Sequence, residues 1–141
     1  MKIENIYRLV EKELPKENVR LIKKYDQHMA RQSLAKATRL KHLQIILNLS
    51  RMIKKNWSDV IKEEIDVVFK LVQTYGDSDG KETNTTYDHK KILKIFYRWF
   101  KLGPREFKEV DNPSETMDVR LRPVKNTLVR KTFLQKMIIE N

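Results

Sequence analysis

The segment 35–54 constrains the fold more than any other part of the sequence. At helical spacing it carries two apolar rows that lie on nearly opposite sides of the helix. The first row is Leu40, Leu43 and Leu47, and the second is Ile45, Leu49 and Met52. A helix that is apolar over most of its circumference is usually buried between neighbours. This segment is therefore predicted to form the centre of a helical bundle.

Several other segments also show helical periodicity. The pattern predicts helices near residues 3–10, over 16–29, from just after Trp57 to about Tyr75, and over 85–102. Few helix breakers interrupt it, since the chain has only three glycines and four prolines. We therefore expect an all-α fold, a compact bundle of four to five helices over residues 1–103. Residues 104–141 are expected to form an irregular linker.

The sequence also predicts the buried face of the fourth helix and the boundaries of the fifth. The fourth helix carries an apolar stripe at positions expected to be buried, namely Ile61, Ile65, Val68, Val72 and Tyr75. A polar loop over 76–82 follows. Thr85 and Asp88 then have the spacing of a capping box, which predicts that the fifth helix begins near Thr85. Gly103 and Pro104 predict where that helix ends.

The charge of the chain is strongly positive and unevenly distributed. Lysine and arginine outnumber aspartate and glutamate by 30 to 19, and such a surplus favours binding to nucleic acid, acidic lipid or acidic protein. No acid occurs between Asp26 and Asp59, or between Asp88 and Glu106. The segment after Trp57 is by contrast rich in acids. The third and fifth helices are therefore predicted to face a polyanionic partner.

The fifth helix separates its charged and apolar residues. Its basic arc contains Lys91, Lys94, Arg98 and Lys101, with Tyr87 and Lys90 at the edges, and its apolar arc contains Ile92, Leu93, Phe96, Trp99 and Phe100. The apolar arc is expected to dock on the bundle and to leave the basic arc free for the major groove of DNA. A solvated surface helix is the simpler alternative, but such helices usually carry both signs of charge. Membrane binding is disfavoured because so small a domain needs this apolar arc for its core.

Other functional classes lack the residues that they require. The absence of cysteine excludes disulfides and thiolate metal sites, and the histidines are too scattered to suggest zinc. His28 and Arg31 spell H-x-x-R, which we interpret as chance, and Trp57 and Trp99 are assigned to the core. We expect a cytoplasmic protein with no metal, no cofactor, no small-molecule substrate and no membrane partner.

A family resemblance lies in three segments, 33–39, 56–60 and 85–100. Its most specific part is the fifth helix, which begins Thr-x-x-Asp-x-Lys at Thr85 and continues Lys-x-Phe-Tyr-Arg-Trp from Lys94. The chain resembles, over about residues 16–102, the N-terminal core-binding (SAM-like) domain of archaeal tyrosine recombinases and integrases. It departs from the family at Ile61, where a threonine or serine usually caps the fourth helix.

The resemblance implies a helical clamp on duplex DNA, in which the third and fifth helices meet the major groove. It also implies DNA integration or recombination, with sibling protomers in a synaptic complex. Catalytic residues would lie in a following domain, so none is expected here. The expected DNA-contacting residues are Lys36, Thr38, Arg39, Lys41 and His42 of the third helix, and Thr85, Thr86, Tyr87, Lys90, Lys91, Lys94, Arg98 and Lys101 of the fifth. Base contacts are expected from Arg39, His42, Lys91 and Arg98. A basic protein-interaction module and an RNA-binding module remain the alternatives.

Overall fold

The computed structural model describes residues 1–74, 83–103, 112–116 and 119, and the regular structure within them is helical. The helices are α1 (Ile3–Glu13), α2 (Lys16–Arg31), α3 (Lys36–Ile53), α4 (Lys62–Gln73) and α5 (Asn84–Leu102), and a short 3-10 turn, Trp57–Asp59, precedes α4. The α3 helix packs against each of the other four. The all-α bundle and the central position of α3 are both confirmed.

Both apolar rows of α3 contribute to the core, although Leu40 and Met52, at the outer end of each row, are only partly buried. Leu43, Ile46 and Leu49 are fully buried, and Ile45 and Leu47 are nearly so. Their burial on several sides of one helix is possible because neighbours surround it, as the sequence predicted.

The buried indole of Trp57 ties three elements together. It lies edge-on to Phe96 and Tyr97 of α5, with ring centroids 5.6 and 5.7 Å apart. Its indole N–H donates to the Ser50 hydroxyl at 2.8 Å, and its backbone N–H donates to the Asn18 side-chain oxygen at 2.9 Å. The assignment of Trp57 to the core is confirmed, and this contact fixes α5 against α3.

The start of α4 differs from the prediction. Ile61 is 56% exposed and lies just before the first turn, so it does not belong to the buried stripe. Its backbone N–H donates to the Glu64 carboxylate at 3.1 Å, which is the half of a capping box that needs no hydroxyl, and the Glu64 N–H donates to the Ile61 carbonyl at 3.0 Å. Ile65, Val68 and Val72 are buried as predicted. Tyr75 and the loop 76–82 lie outside the described residues.

The start of α5 also differs, by two residues. Thr83 caps the helix, since its hydroxyl accepts from the Thr86 N–H at 3.3 Å and its own N–H donates to the Thr86 hydroxyl at 2.8 Å. The predicted box between Thr85 and Asp88 is wrong, because the Asp88 carboxylate pairs with Lys41 instead, at 2.8 Å. The predicted end is confirmed at Gly103, which has a φ of +86°.

Candidate nucleic-acid interface

Arg39 of α3 is part of a buried ion pair. Its guanidinium donates to both carboxylate oxygens of Asp26 on α2, at 2.8 and 3.0 Å, and Asp26 also accepts from the Tyr7 hydroxyl of α1. Asp26 is 2% exposed, and the Arg39 side chain is 19% exposed. Two guanidinium nitrogens that could donate to a base edge therefore already donate to the Asp26 carboxylate. Arg39 holds three helices together, and its predicted base contact has no support in this geometry.

Other basic residues of the acid-free stretch also meet acids from neighbouring elements. Lys41 pairs with Asp88 of α5 at 2.8 Å, Arg51 pairs with Glu13 of α1 at 2.6 Å, and Lys55 pairs with Glu64 of α4 at 2.9 Å. With Arg39, four of the seven lysines and arginines in this stretch therefore pair with an acid.

The N-terminal end of α3 keeps an unpaired charge. Lys36 and Thr38 are exposed, and so is Arg31 at the end of α2. Neither Lys36 nor Arg31 has an acidic partner within the part of the chain that the structure describes. Ser33, with a φ of +60°, forms the turn between the two helices and leaves both cations on the surface.

His42 lies at the junction of α3 and α5. Its Nδ1 is 2.9 Å from the Tyr25 hydroxyl oxygen. Burial lowers the pKa of the His42 imidazole, the charges of Lys91 and Lys41 lower it further, and Asp88 opposes them. The imidazole is therefore mainly neutral near pH 7.

Only some of the DNA-contacting residues predicted in the first half of α5 are exposed. Thr85 and Lys91 are exposed, whereas Tyr87 and Lys90 are half-buried. Thr86 is 2% exposed and its hydroxyl completes the helix cap, so its predicted DNA contact has no support in this geometry. Lys91 has no acidic partner among the described residues, and it is the most accessible cation of this half.

The inward face of α5 carries a histidine with a structural role. His89 Nδ1 lies 2.7 Å from the Thr85 carbonyl oxygen, and Nε2 lies 3.0 Å from the Asn48 amide nitrogen of α3. Because the carbonyl can only accept and the amide nitrogen can only donate, the proton of the ring is on Nδ1. His89 therefore links α5 to α3.

The second half of the basic arc on α5, Lys94, Arg98 and Lys101, contacts a later segment of the chain. Residues 112–116 and 119, here named the C-terminal strap, lie against it. Lys94 donates to the Val119 carbonyl at 2.7 Å, Arg98 donates to the Asn112 side-chain oxygen at 3.3 Å, and Lys101 pairs with Glu115 at 3.5 Å. The prediction that the whole arc is free is wrong, because the sequence pattern could not show that a later segment packs on it.

The α2 helix carries a basic stripe that the sequence reasoning missed. Lys16, Arg20, Lys24 and Arg31 are all exposed, and none has an acidic partner among the described residues. The acids of α2 are directed elsewhere, since Glu17 accepts from Ser58 and Asp26 pairs with Arg39. The four-residue spacing from Lys16 to Lys24 was the available signal.

The half-exposed aromatic rings cover one another. His28 stacks on Trp99 with centroids 5.8 Å apart, and Tyr25 contacts both rings. Burial and the nearby Arg31 lower the pKa of His28. Because these ring faces are used within the protein, they offer little platform for stacking a nucleobase. His28 of the H-x-x-R sequence thus has a packing role.

The described residues contain no group of three His, Cys, Asp or Glu side chains that could hold a metal ion. Nor is any helix among them long and apolar enough to cross a bilayer.

No protein-family model matches this chain, and no curated protein and no solved structure is significantly similar to it.

Proposed function

We propose that this chain binds double-stranded DNA as the N-terminal core-binding domain of a tyrosine recombinase or integrase. The observation that carries the proposal is a set of exposed cations, at the turn between α2 and α3 and on α5, that have no acidic partner among the described residues, namely Arg31, Lys36 and Lys91. A polyanion is the natural partner of such a surface, since neutralising phosphates releases counterions.

The relation between α3 and α5 supports the same proposal. These are the two helices that the family resemblance assigns to the major groove, and they pack directly against each other. The Lys41–Asp88 ion pair and the Asn48–His89 hydrogen bond join them. Their exposed ends can therefore meet one DNA segment together.

The residues divide into different roles within this surface. Lys36 and Lys91 would contact phosphates, and the exposed hydroxyls of Thr38 and Thr85 can donate to phosphates or base edges. Arg39 would act indirectly, by holding α3 in place through Asp26.

Salt dependence of binding to a short duplex tests the proposal. The double variant Lys36→Ala/Lys91→Ala removes two unpaired cations, and we expect the slope of log K against log salt to fall by about 2. The matched control, Arg51→Ala/Lys55→Ala, removes two cations that pair with acids at the surface. The control should leave the slope nearly unchanged, and circular dichroism should show a helical fold for both variants.

Three outcomes would contradict the proposal. They are a flat salt slope for the unaltered chain, undiminished binding by Lys36→Ala/Lys91→Ala, and an equal loss in both variants, which would mean that only net charge matters. Parallel titrations with double-stranded RNA and with an acidic polypeptide test the alternatives. Tighter binding to either would favour an RNA-binding or protein-interaction module.

A further inference from the structure

The surroundings of His42 have the composition of an anion site. Lys41 is its neighbour on α3 and pairs at 2.8 Å with Asp88, which lies one turn before Lys91 on α5. The charge of Lys91 acts on the imidazole from that helix. Tyr25 of α2 lies behind the ring, with its hydroxyl on Nδ1. Asp88 is the acid that acts on this group, and it is already paired with Lys41.

The Tyr25 hydroxyl determines where the proton of the neutral imidazole resides. Burial raises the pKa of Tyr25 well above its ordinary value, so the hydroxyl stays protonated. Among the described residues its oxygen contacts no acceptor other than His42 Nδ1. The hydroxyl therefore donates to Nδ1, and the ring proton is on Nε2, the nitrogen for which the described residues offer no partner.

We propose that the Nε2–H of His42 and the ammonium group of Lys91 together bind one phosphate group of the DNA backbone. Tyr25 is the positioning residue, because its hydroxyl fixes the tautomer that donates. A phosphodiester oxygen accepts such hydrogen bonds strongly, since it is charged. The site specifies one atomic contact within the DNA interface proposed above, and it rests on that proposed function.

The site also couples DNA binding to protonation. Four groups from three helices act on the imidazole, namely Lys41, Lys91, Asp88 and Tyr25. In the free chain, burial and the two lysines disfavour the imidazolium form. A bound phosphate adds negative charge and favours it, so the complex takes up a proton more readily than the free chain. Duplex affinity should therefore rise as the pH falls through the pKa of His42.

Nitrogen-detected NMR of the imidazoles tests both statements on the full chain. The spectrum of the free protein should show His42 with its proton on Nε2, and Tyr25→Phe should change that tautomer ratio. Titration between pH 5 and 8, without ligand, with a duplex and with inorganic pyrophosphate, should show the His42 pKa raised by about one unit by either ligand.

Duplex binding by two histidine variants gives an independent measurement. His42→Gln should weaken binding about tenfold at pH 6, as expected for losing one hydrogen bond to a charged group. It should also abolish the rise in affinity at low pH. The control is His28→Gln, which alters another half-buried histidine whose pKa burial also lowers, and it should keep the pH dependence.

The outcomes separate this site from the proposed function. If pyrophosphate raises the His42 pKa but no duplex binds, the anion site stands and DNA binding is wrong. If the duplex binds and His42→Gln keeps the pH dependence, DNA binding stands and this site is wrong. An Nδ1–H tautomer, or a His42 resonance unaffected by both ligands, would also overturn the site.

Discussion

The α2 and α3 helices differ in what folding does to their charges. The α3 sequence has no acid, yet Arg39, Lys41 and Arg51 each pair with a carboxylate from another helix. The α2 sequence contains two acids, yet its stripe from Lys16 to Arg31 keeps several cations without an acidic partner among the described residues. Surface charge is therefore decided by which helices pack together and not by the composition of one helix.

The position of each helix explains the difference. The α3 helix lies at the centre, so the long side chains at its edges come within reach of acids on α1, α2 and α5. The stripe of α2 points away from the bundle. Its acid at Asp26 is turned inward, and the other, Glu17, accepts a hydrogen bond from Ser58.

The largest effect is expected from breaking the pair that joins the two helices. Asp26→Ala leaves the half-buried Arg39 and Tyr7 side chains without their partner, and it should lower the free energy of unfolding by about 2–3 kcal/mol. Urea denaturation measures the change.

The matched control for that variant is Glu13→Ala. It breaks the more exposed pair with Arg51 and should cost at most about 1 kcal/mol. Equal losses for the two variants would show that the Asp26–Arg39 pair has no special structural role.

A smaller effect is expected at the far end of α3. Lys54 ends the helix in the left-handed region, with a φ of +57°, and a lysine there is strained. Lys54→Gly should raise the free energy of unfolding by about 0.5–1 kcal/mol. It should leave duplex affinity nearly unchanged, because Lys54 and Lys36 lie at opposite ends of α3. A marked loss of DNA binding would place the interface at the wrong end of this helix.

Variants in the basic stripe of α2 test whether its exposed cations contribute to DNA binding. Arg20→Ala/Lys24→Ala should reduce duplex affinity only about two- to threefold at low salt, because charges outside the contact act through a screened field. Fluorescence anisotropy at two salt concentrations would measure this. A salt slope reduced as much as in Lys36→Ala/Lys91→Ala would instead extend the interface along α2 from Arg31 to Arg20 and Lys24.

The smallest effect is expected from the C-terminal strap. Glu115→Gln removes the acid that pairs with Lys101, so that cation becomes available to DNA. We expect duplex affinity to rise by about twofold or less, in keeping with the small energy of exposed ion pairs. A decrease would indicate that the strap itself contributes to binding.

The sequence predicted features that depend on local periodicity. The burial of α3 on two sides and the inward positions of Ile92 and Phe96 were predicted from spacing along one helix, and the end of α5 was predicted from Gly103 and Pro104. Such features are predictable because the helix repeat fixes which residues share a face.

Features that depend on distant partners could not be predicted in this way. The Asp26–Arg39 pair and the strap on Lys94 join residues that are far apart in sequence. The N-terminal cap of α5 likewise depends on a residue from another helix. Thr83 and Thr85 are equally suitable caps, and Asp88 is unavailable to Thr85 because Lys41, on another helix, binds it.

The contrast between the two tryptophans gives this chain a built-in optical signal. Trp57 is fully buried and bonded to Ser50, so its emission should report the loss of the core on unfolding. Trp99 is half-buried and stacked on His28, and a protonated imidazole quenches indole emission. Because burial lowers the pKa of His28, the emission of Trp99 should be steady at neutral pH and decrease only in mildly acidic solution. A single unlabelled sample thus reports on the interior and on the surface beside Arg31 at the same time.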